Sequence, residues 1–136
     1  MAKSKVYFTN MRVVGDENLP DKLVRLCREA GIENIDFKDK FTAIKVHFGE
    51  AGNLAFLRPD WARAIADLVK KLGGKPFVTD CSTLYVGARK NALDHLDIAY
   101  KHGYNPFSWQ HTATGHSPWN GWPFVAMHPP HLQGSL

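Results

Sequence analysis

The chain has 136 residues, 44% of them apolar and 22% charged, with a formal net charge of +4. This is the size and composition of one soluble domain with a real core, and the mild charge, with no block of lysines or arginines, excludes a basic nucleic-acid arm. Two distant cysteines, Cys27 and Cys81, exclude a disulfide framework, and no apolar run approaches the roughly 20 residues of a membrane span.

Met1-Ala2-Lys3-Ser4 does not open a signal peptide, so a cytoplasmic, reduced setting is expected. Lys5-Val6-Tyr7-Phe8-Thr9 is β-branched and aromatic and reads as a first strand. A polar loop follows, and Pro20 sits where a helix accepts its first-turn proline. Leu19, Leu23, Leu26, Cys27 and Ala30 recur at helical spacing, and Gly31 is placed to end that helix. Cys27 therefore reads as a small core residue.

Phe41 to Phe48 reads as the second strand. Alternation places Phe41, Ala43, Lys45 and His47 on one face, and Thr42, Ile44, Val46 and Phe48 on the other. Arg58-Pro59-Asp60 opens a second helix, whose Trp61, Ala64, Ile65, Leu68, Val69 and Leu72 give the clearest amphipathic pattern in the chain. Gly73-Gly74 stops it, and Lys75 to Asp80 returns as a third strand. The loop from Cys81 to Lys90 leads to a third helix, Asn91 to about His102, expected to turn Ala92, Leu93, Leu96 and Ala99 inward.

The order β-α-β-α-β-α predicts an α/β fold of three layers, with a small, mostly parallel sheet, as a partial domain over residues 1–103. The tail, residues 104–136, has no Asp, Glu, Lys or Arg and holds three of the four tryptophans. Its only strand-like run is Phe124-Val125-Ala126-Met127, and its histidines His111, His116, His128 and His131 lack ligand spacing. A three-stranded sheet leaves edges to cover, so the tail or a second copy of the chain is expected against one of them.

In open parallel sheets, ligands sit beyond the carboxyl ends of the strands. Those ends here carry Asn10-Met11-Arg12, His47-Phe48-Gly49-Glu50 and Asp80-Cys81-Ser82-Thr83. His47 and Glu50 suit either metal ligation or acid–base work, and Asp80 would complete a His/carboxylate set for a divalent transition metal. Each also fits an ordinary role: Asp80 as a turn cap, Glu50 as a solvated carboxylate, His47 bonded to the backbone. Neither GxGxxG nor GxxxxGK[ST] is present. Arg58 stands at a helix start where an anion would be favoured. Tyr85, Arg89, Asn91 and His95 follow on the same edge, Asn91 also suiting a helix cap. Cys81, beside Ser82 and Thr83, has the setting in which a thiolate can be activated by His47 or Arg89. The aromatics do not interleave with a basic stripe, which argues against nucleic acid.

The stretches Ala43 to Asn53, Leu72 to Asp80 and Thr83 to His95 resemble the domain-of-unknown-function family 362, often labelled iron–sulfur-centre proteins. The resemblance covers roughly residues 4–107. It implies an α/β domain in a redox or metal-linked setting, and His47, Glu50, Asp80, Thr83, Tyr85, Arg89, Asn91 and His95 match the family's recurrent motifs. The chain lacks the ferredoxin-type cysteine run of full-length relatives, so no iron–sulfur cluster is expected on it. Where the family pattern continues with further strands, this chain has its uncharged tail, which reads as truncated or frame-shifted.

The expected function is a metal- or small-anion-binding domain of a redox-associated protein, with His47, Glu50 and Asp80 as metal ligands and Arg58 and Arg89 as anion contacts. The alternatives are an enzyme using His47 as general base beside Glu50 on a small substrate, and an inactive fragment of a longer protein.

Overall fold

The computed structural model describes residues 3–105 and the backbone of 125–128. Helix α1 spans Leu19–Glu29 and is followed by a single 3-10 turn, Ile32–Asn34. Strand β1 (Phe41–Lys45), helix α2 (Pro59–Lys71), strand β2 (Lys75–Cys81), helix α3 (Ala92–Lys101) and strand β3 (Val125–His128) complete it. The strands form one parallel sheet in the order β1-β2-β3. The fold is α/β, as expected.

Two expectations are corrected. Lys5–Thr9 is not a strand: the segment has no regular structure, with Val6 90% and Phe8 85% exposed. The alternation therefore opens on a helix, and the third strand comes from the tail. The reason lies in what holds the end of that segment. The buried Lys22 ammonium, on α1, donates to the Asn10 carbonyl at 2.8 Å, the Asn10 side chain at 3.1 Å and the Arg12 carbonyl at 2.6 Å. This fastens the segment to α1, which packs on α2. Strand propensity without a neighbouring strand gives no ladder.

Local chemistry accounts for the elements. Asn18 caps α1 by accepting from the Asp21 N–H at 2.9 Å, and a proline opens the helix. Such a cap contributes about 1 kcal/mol. Helix α2 begins at Pro59, with Asp60 in its first turn and Lys70 and Lys71 in its last, matching the helix dipole. At Gly74 a Cβ would stand 2.6 Å from a Val69 methyl, so only glycine lets β2 leave the helix this closely. Pro76 lies in β2, yet β3 pairs with β2 only from Val78 onward, so the missing N–H falls where β2 has a described neighbour on one side only. Backbone pairing along β2 from Val78 to Cys81 is thus supplied by a piece of the uncharged tail, which covers one sheet edge. The rest of that tail, including His111, His116 and His131, lies outside the described residues.

The core sits between the sheet and helices α2 and α3. Val46, Phe48, Ala62, Ala66, Val78, Ala99 and Tyr104 form it, with Ile44 and Phe56 against its rim. The expected β1 alternation holds: Val46 and Phe48 are buried, while Phe41, Ala43, Lys45 and His47 are exposed. In α2, Ala62, Ala66, Leu68 and Val69 are buried, and the small Ala62 and Ala66 join the core cluster against the sheet. In α3 the expected inward face is partly displaced. Ala99 is buried, but Leu93 is 80% exposed, and His95 and Ile98 turn inward. Among the described residues, no helix is long and apolar enough to cross a membrane.

Candidate functional site

The carboxyl ends of β1 and β2 meet at Asp80, whose side chain is 1% exposed. Oδ1 accepts from the Lys45 ammonium at 2.8 Å and from the Cys81 N–H at 2.8 Å. Oδ2 accepts from the Phe48 N–H at 3.0 Å, from Arg89 Nη1 at 3.1 Å and from His95 Nε2 at 3.2 Å. Burial alone would push this carboxyl up. The hydrogen bonds from His95, Lys45 and the two backbone N–H groups outweigh it and hold Asp80 far below the usual carboxylate range.

Arg89 is the second hub and is also buried. Its Nε donates to Glu50 Oε1 at 2.7 Å, and its Nη2 lies 2.6 Å from the same oxygen and donates to the Tyr85 hydroxyl at 2.8 Å. The Tyr85 hydroxyl in turn donates to Glu50 Oε1. The bond from Arg89 first, and then that from Tyr85, lowers the Glu50 pKa, so Glu50 is a carboxylate. Burial lowers the Arg89 pKa, but Glu50 and Tyr85 more than offset it and raise it. One loop is therefore laced to the other: Glu50 follows β1, while Tyr85 and Arg89 follow β2.

The backbone around His47 is fixed from two directions. The Gly49 N–H donates to His47 Nδ1 at 2.9 Å. A neutral imidazole that accepts at Nδ1 carries its hydrogen on Nε2, so the exposed ring presents a donor. Gly49 has φ +88°, and a Cβ there would stand 2.8 Å from both His102 Nδ1 and the Phe56 Cβ. His102 donates from Nδ1 to the Phe48 carbonyl at 2.6 Å and stacks on Phe56 at 4.1 Å. Tyr104 donates to the Leu57 carbonyl at 2.5 Å. Burial pushes its phenol up to about 12, the Asp80 charge adding to the shift.

The expected metal trio is not assembled. Among the described residues no group of three or more His, Cys, Asp or Glu is placed to hold a metal ion. Both Asp80 oxygens are taken by protein donors, Glu50 is taken by Arg89 and Tyr85, and His47 presents a hydrogen outward. Arg58 stands at the start of α2, largely exposed, with Asp60 at 3.8 Å. Thr83 braces its own loop, its N–H bonded to the Arg89 carbonyl at 3.0 Å. Asn91 caps α3 through the Asp94 N–H at 3.0 Å. His95 is wholly buried, edge-on to Phe48, and its Nδ1 has no hydrogen-bond partner. The structure thus joins Glu50, Asp80, Tyr85, Arg89 and His95 in one network.

Sequence reasoning passed over Lys45. Its side chain is 55% exposed, its ammonium is anchored on a buried carboxylate, and it lies two residues before His47 on the same face of the strand. The alternation of β1 was the signal that could have found it.

A family model described as "Domain of unknown function (DUF362)" matches residues 42–124 of the chain. The match begins inside β1 and runs on past Gly103 into the uncharged tail. None of the curated proteins and none of the solved structures matches the chain.

Proposed function

The chain belongs to the DUF362 family, and from that premise we propose that it is a binding domain for a small anion, held at the carboxyl ends of its parallel strands. One observation carries the reading: the hydrogen-bond inventory of the strand ends is left with outward donors. The two carboxylates, Asp80 and Glu50, are matched within the network by Lys45 and Arg89. A ligand therefore meets a charge-balanced floor. From that floor the Lys45 ammonium offers the two N–H bonds that Asp80 does not use, and His47 offers its Nε2–H. Two such donors on one exposed strand face suit an acceptor-rich group such as a carboxylate or phosphate. Arg89 acts beneath them as a positioning residue, and Arg58 is left outside the proposal. The metal site and the redox setting are not part of it.

The test is an acetate titration of the full chain, followed by NMR at the His47 ring. A saturable shift that disappears in Lys45→Gln is expected. A ring that does not respond to acetate, or responds equally in the variant, overturns the reading.

A further inference from the structure

Strand β3 covers one edge of the sheet, and β1 forms the other. The ladder decides which backbone groups that second edge offers. The Lys75 N–H donates to the Lys40 carbonyl at 2.8 Å, and the Val46 N–H donates to the Thr79 carbonyl at 2.9 Å. Successive residues of a strand turn their N–H and C=O to opposite sides. Even-numbered residues of β1 therefore face β2, while Phe41, Ala43 and Lys45 turn both groups away from the sheet. Among the described residues, nothing takes these bonds up. The side chains leave the edge open as well: Phe41 is 78% exposed, and Ala43 is exposed on the same face. Such a row of free donors and acceptors is a template for a further strand.

The same chain holds a strand-like run that lacks a neighbour. Lys5–Thr9 is β-branched and aromatic, and with five residues it is as long as β1. Its Val6 and Phe8 alternate onto one face and stand 90% and 85% exposed. Lys22 pins Asn10 and Arg12 at the base of this run, which precedes them as an arm. Within one chain the arm and the edge are not paired.

We infer that the edge of β1 receives the Lys5–Thr9 arm of a second copy of the chain, the two copies exchanging arms about a two-fold axis. Three features select this occupant. Edge and arm match in length, and each lacks what the other supplies. A register that sets Val6 and Phe8 beside Phe41 and Ala43 gives the apolar pairs that hold adjacent strands together. Every copy carries one arm and one edge, so reciprocal exchange closes at two chains and leaves neither element over. The surface paired in this way is small, so the dimer is reversible and the dilute chain folds without it. The inference goes beyond the anion site and does not depend on it.

The experiment is sedimentation of the full chain over a range of concentrations, with amide hydrogen exchange at the dilute and the concentrated end. The wild type should pass from monomer to dimer, and the Phe41, Ala43 and Lys45 amides should exchange at least about tenfold more slowly in the dimer. The double variant Tyr7→Pro/Phe8→Pro takes one N–H from each side of the arm, at exposed positions outside any helix or strand. It should raise the Kd of the dimer at least about tenfold and restore fast exchange at Ala43. A wild type that stays monomeric at every concentration overturns the inference. So does a dimer that the double variant leaves intact, since the copies would then meet elsewhere. Protection of the Ala43 amide in the dilute monomer overturns it too, because the edge would then be covered from within the chain.

Discussion

Lys5-Val6-Tyr7-Phe8-Thr9 and Lys75-Pro76-Phe77-Val78-Thr79-Asp80-Cys81 are both rich in the residues that strands favour, yet they end in opposite states. The second is the central strand of the sheet, with Val78, Thr79 and Asp80 buried. The first lies in solvent, held at its end by Lys22. The difference is not intrinsic preference, since the second run even contains a proline. What separates them is company. β2 is paired along its whole length, by β1 from Lys75 to Thr79 and by β3 from Val78 to Cys81, with helices over one face and a buried carboxylate near its end that collects five donors. β-propensity describes a fit to a neighbouring surface, and only one of these runs has one.

The largest expected effect comes from removing what fixes the end of β2. Asp80→Asn removes the buried charge that Lys45, Arg89 and His95 share and leaves Arg89 with Glu50 alone, and breaking a buried pair in this way costs about 3–5 kcal/mol. Urea unfolding measures it, and a loss below about 1 kcal/mol would mean that the network does not hold the strand end. Acid makes the same cut without mutation. Asp80 has a depressed pKa in the fold, so its contribution is complete above the ordinary value of 3.8 and is lost as pH falls through the folded value. Thermal melts should fall as the pH drops below 3.8 in the wild type and less so in Asp80→Asn. Next in size, Val78→Ala opens a hole against Ala62 and Ala66 and should cost about 2 kcal/mol. Lys22→Met removes three hydrogen bonds, but their acceptors can turn to water, so about 1 kcal/mol is expected together with faster amide exchange at Asn10 and Arg12. At the small end, Phe8→Ser should change stability by less than about 0.5 kcal/mol. A loss there as large as at Val78 would break the comparison, since it would place the amino-terminal run in a packed setting.

Much of the fold could be read from local pattern. The alternation of Phe41 to Phe48 sorted the residues into the two faces that the structure shows. The proline and glycine punctuation placed the ends of α1 and α2, and Asn91 proved to be the cap that its position suggested. Helix α3 was harder. It is only ten residues long, and Leu93 and His95 compete for the interior. The histidine goes in because a carboxylate fifteen residues earlier in the chain takes its ring nitrogen. No local period carries that information. The strand-end edge does bring Glu50, Asp80, Tyr85, Arg89 and His95 together, but the sequence did not show how they pair. His47, Glu50 and Asp80 looked like ligands awaiting a metal, whereas Asp80 and Glu50 are already occupied by Lys45, Arg89 and Tyr85. The pairing of Glu50 with Arg89 spans 39 residues, and it decides which groups remain for a ligand.

The wall of the site is fastened late. His102 reaches back 54 residues to the Phe48 carbonyl, and Tyr104 reaches back 47 to that of Leu57. Protein synthesis delivers the amino-terminal end first, and a loop pinned from so far downstream cannot close until the pin has been made. While α2, β2 and α3 are still being translated, the backbone after β1 has neither anchor. Helices α1 and α2 can therefore form before the backbone after β1 is pinned, and the residues that follow α3 set when that closure occurs.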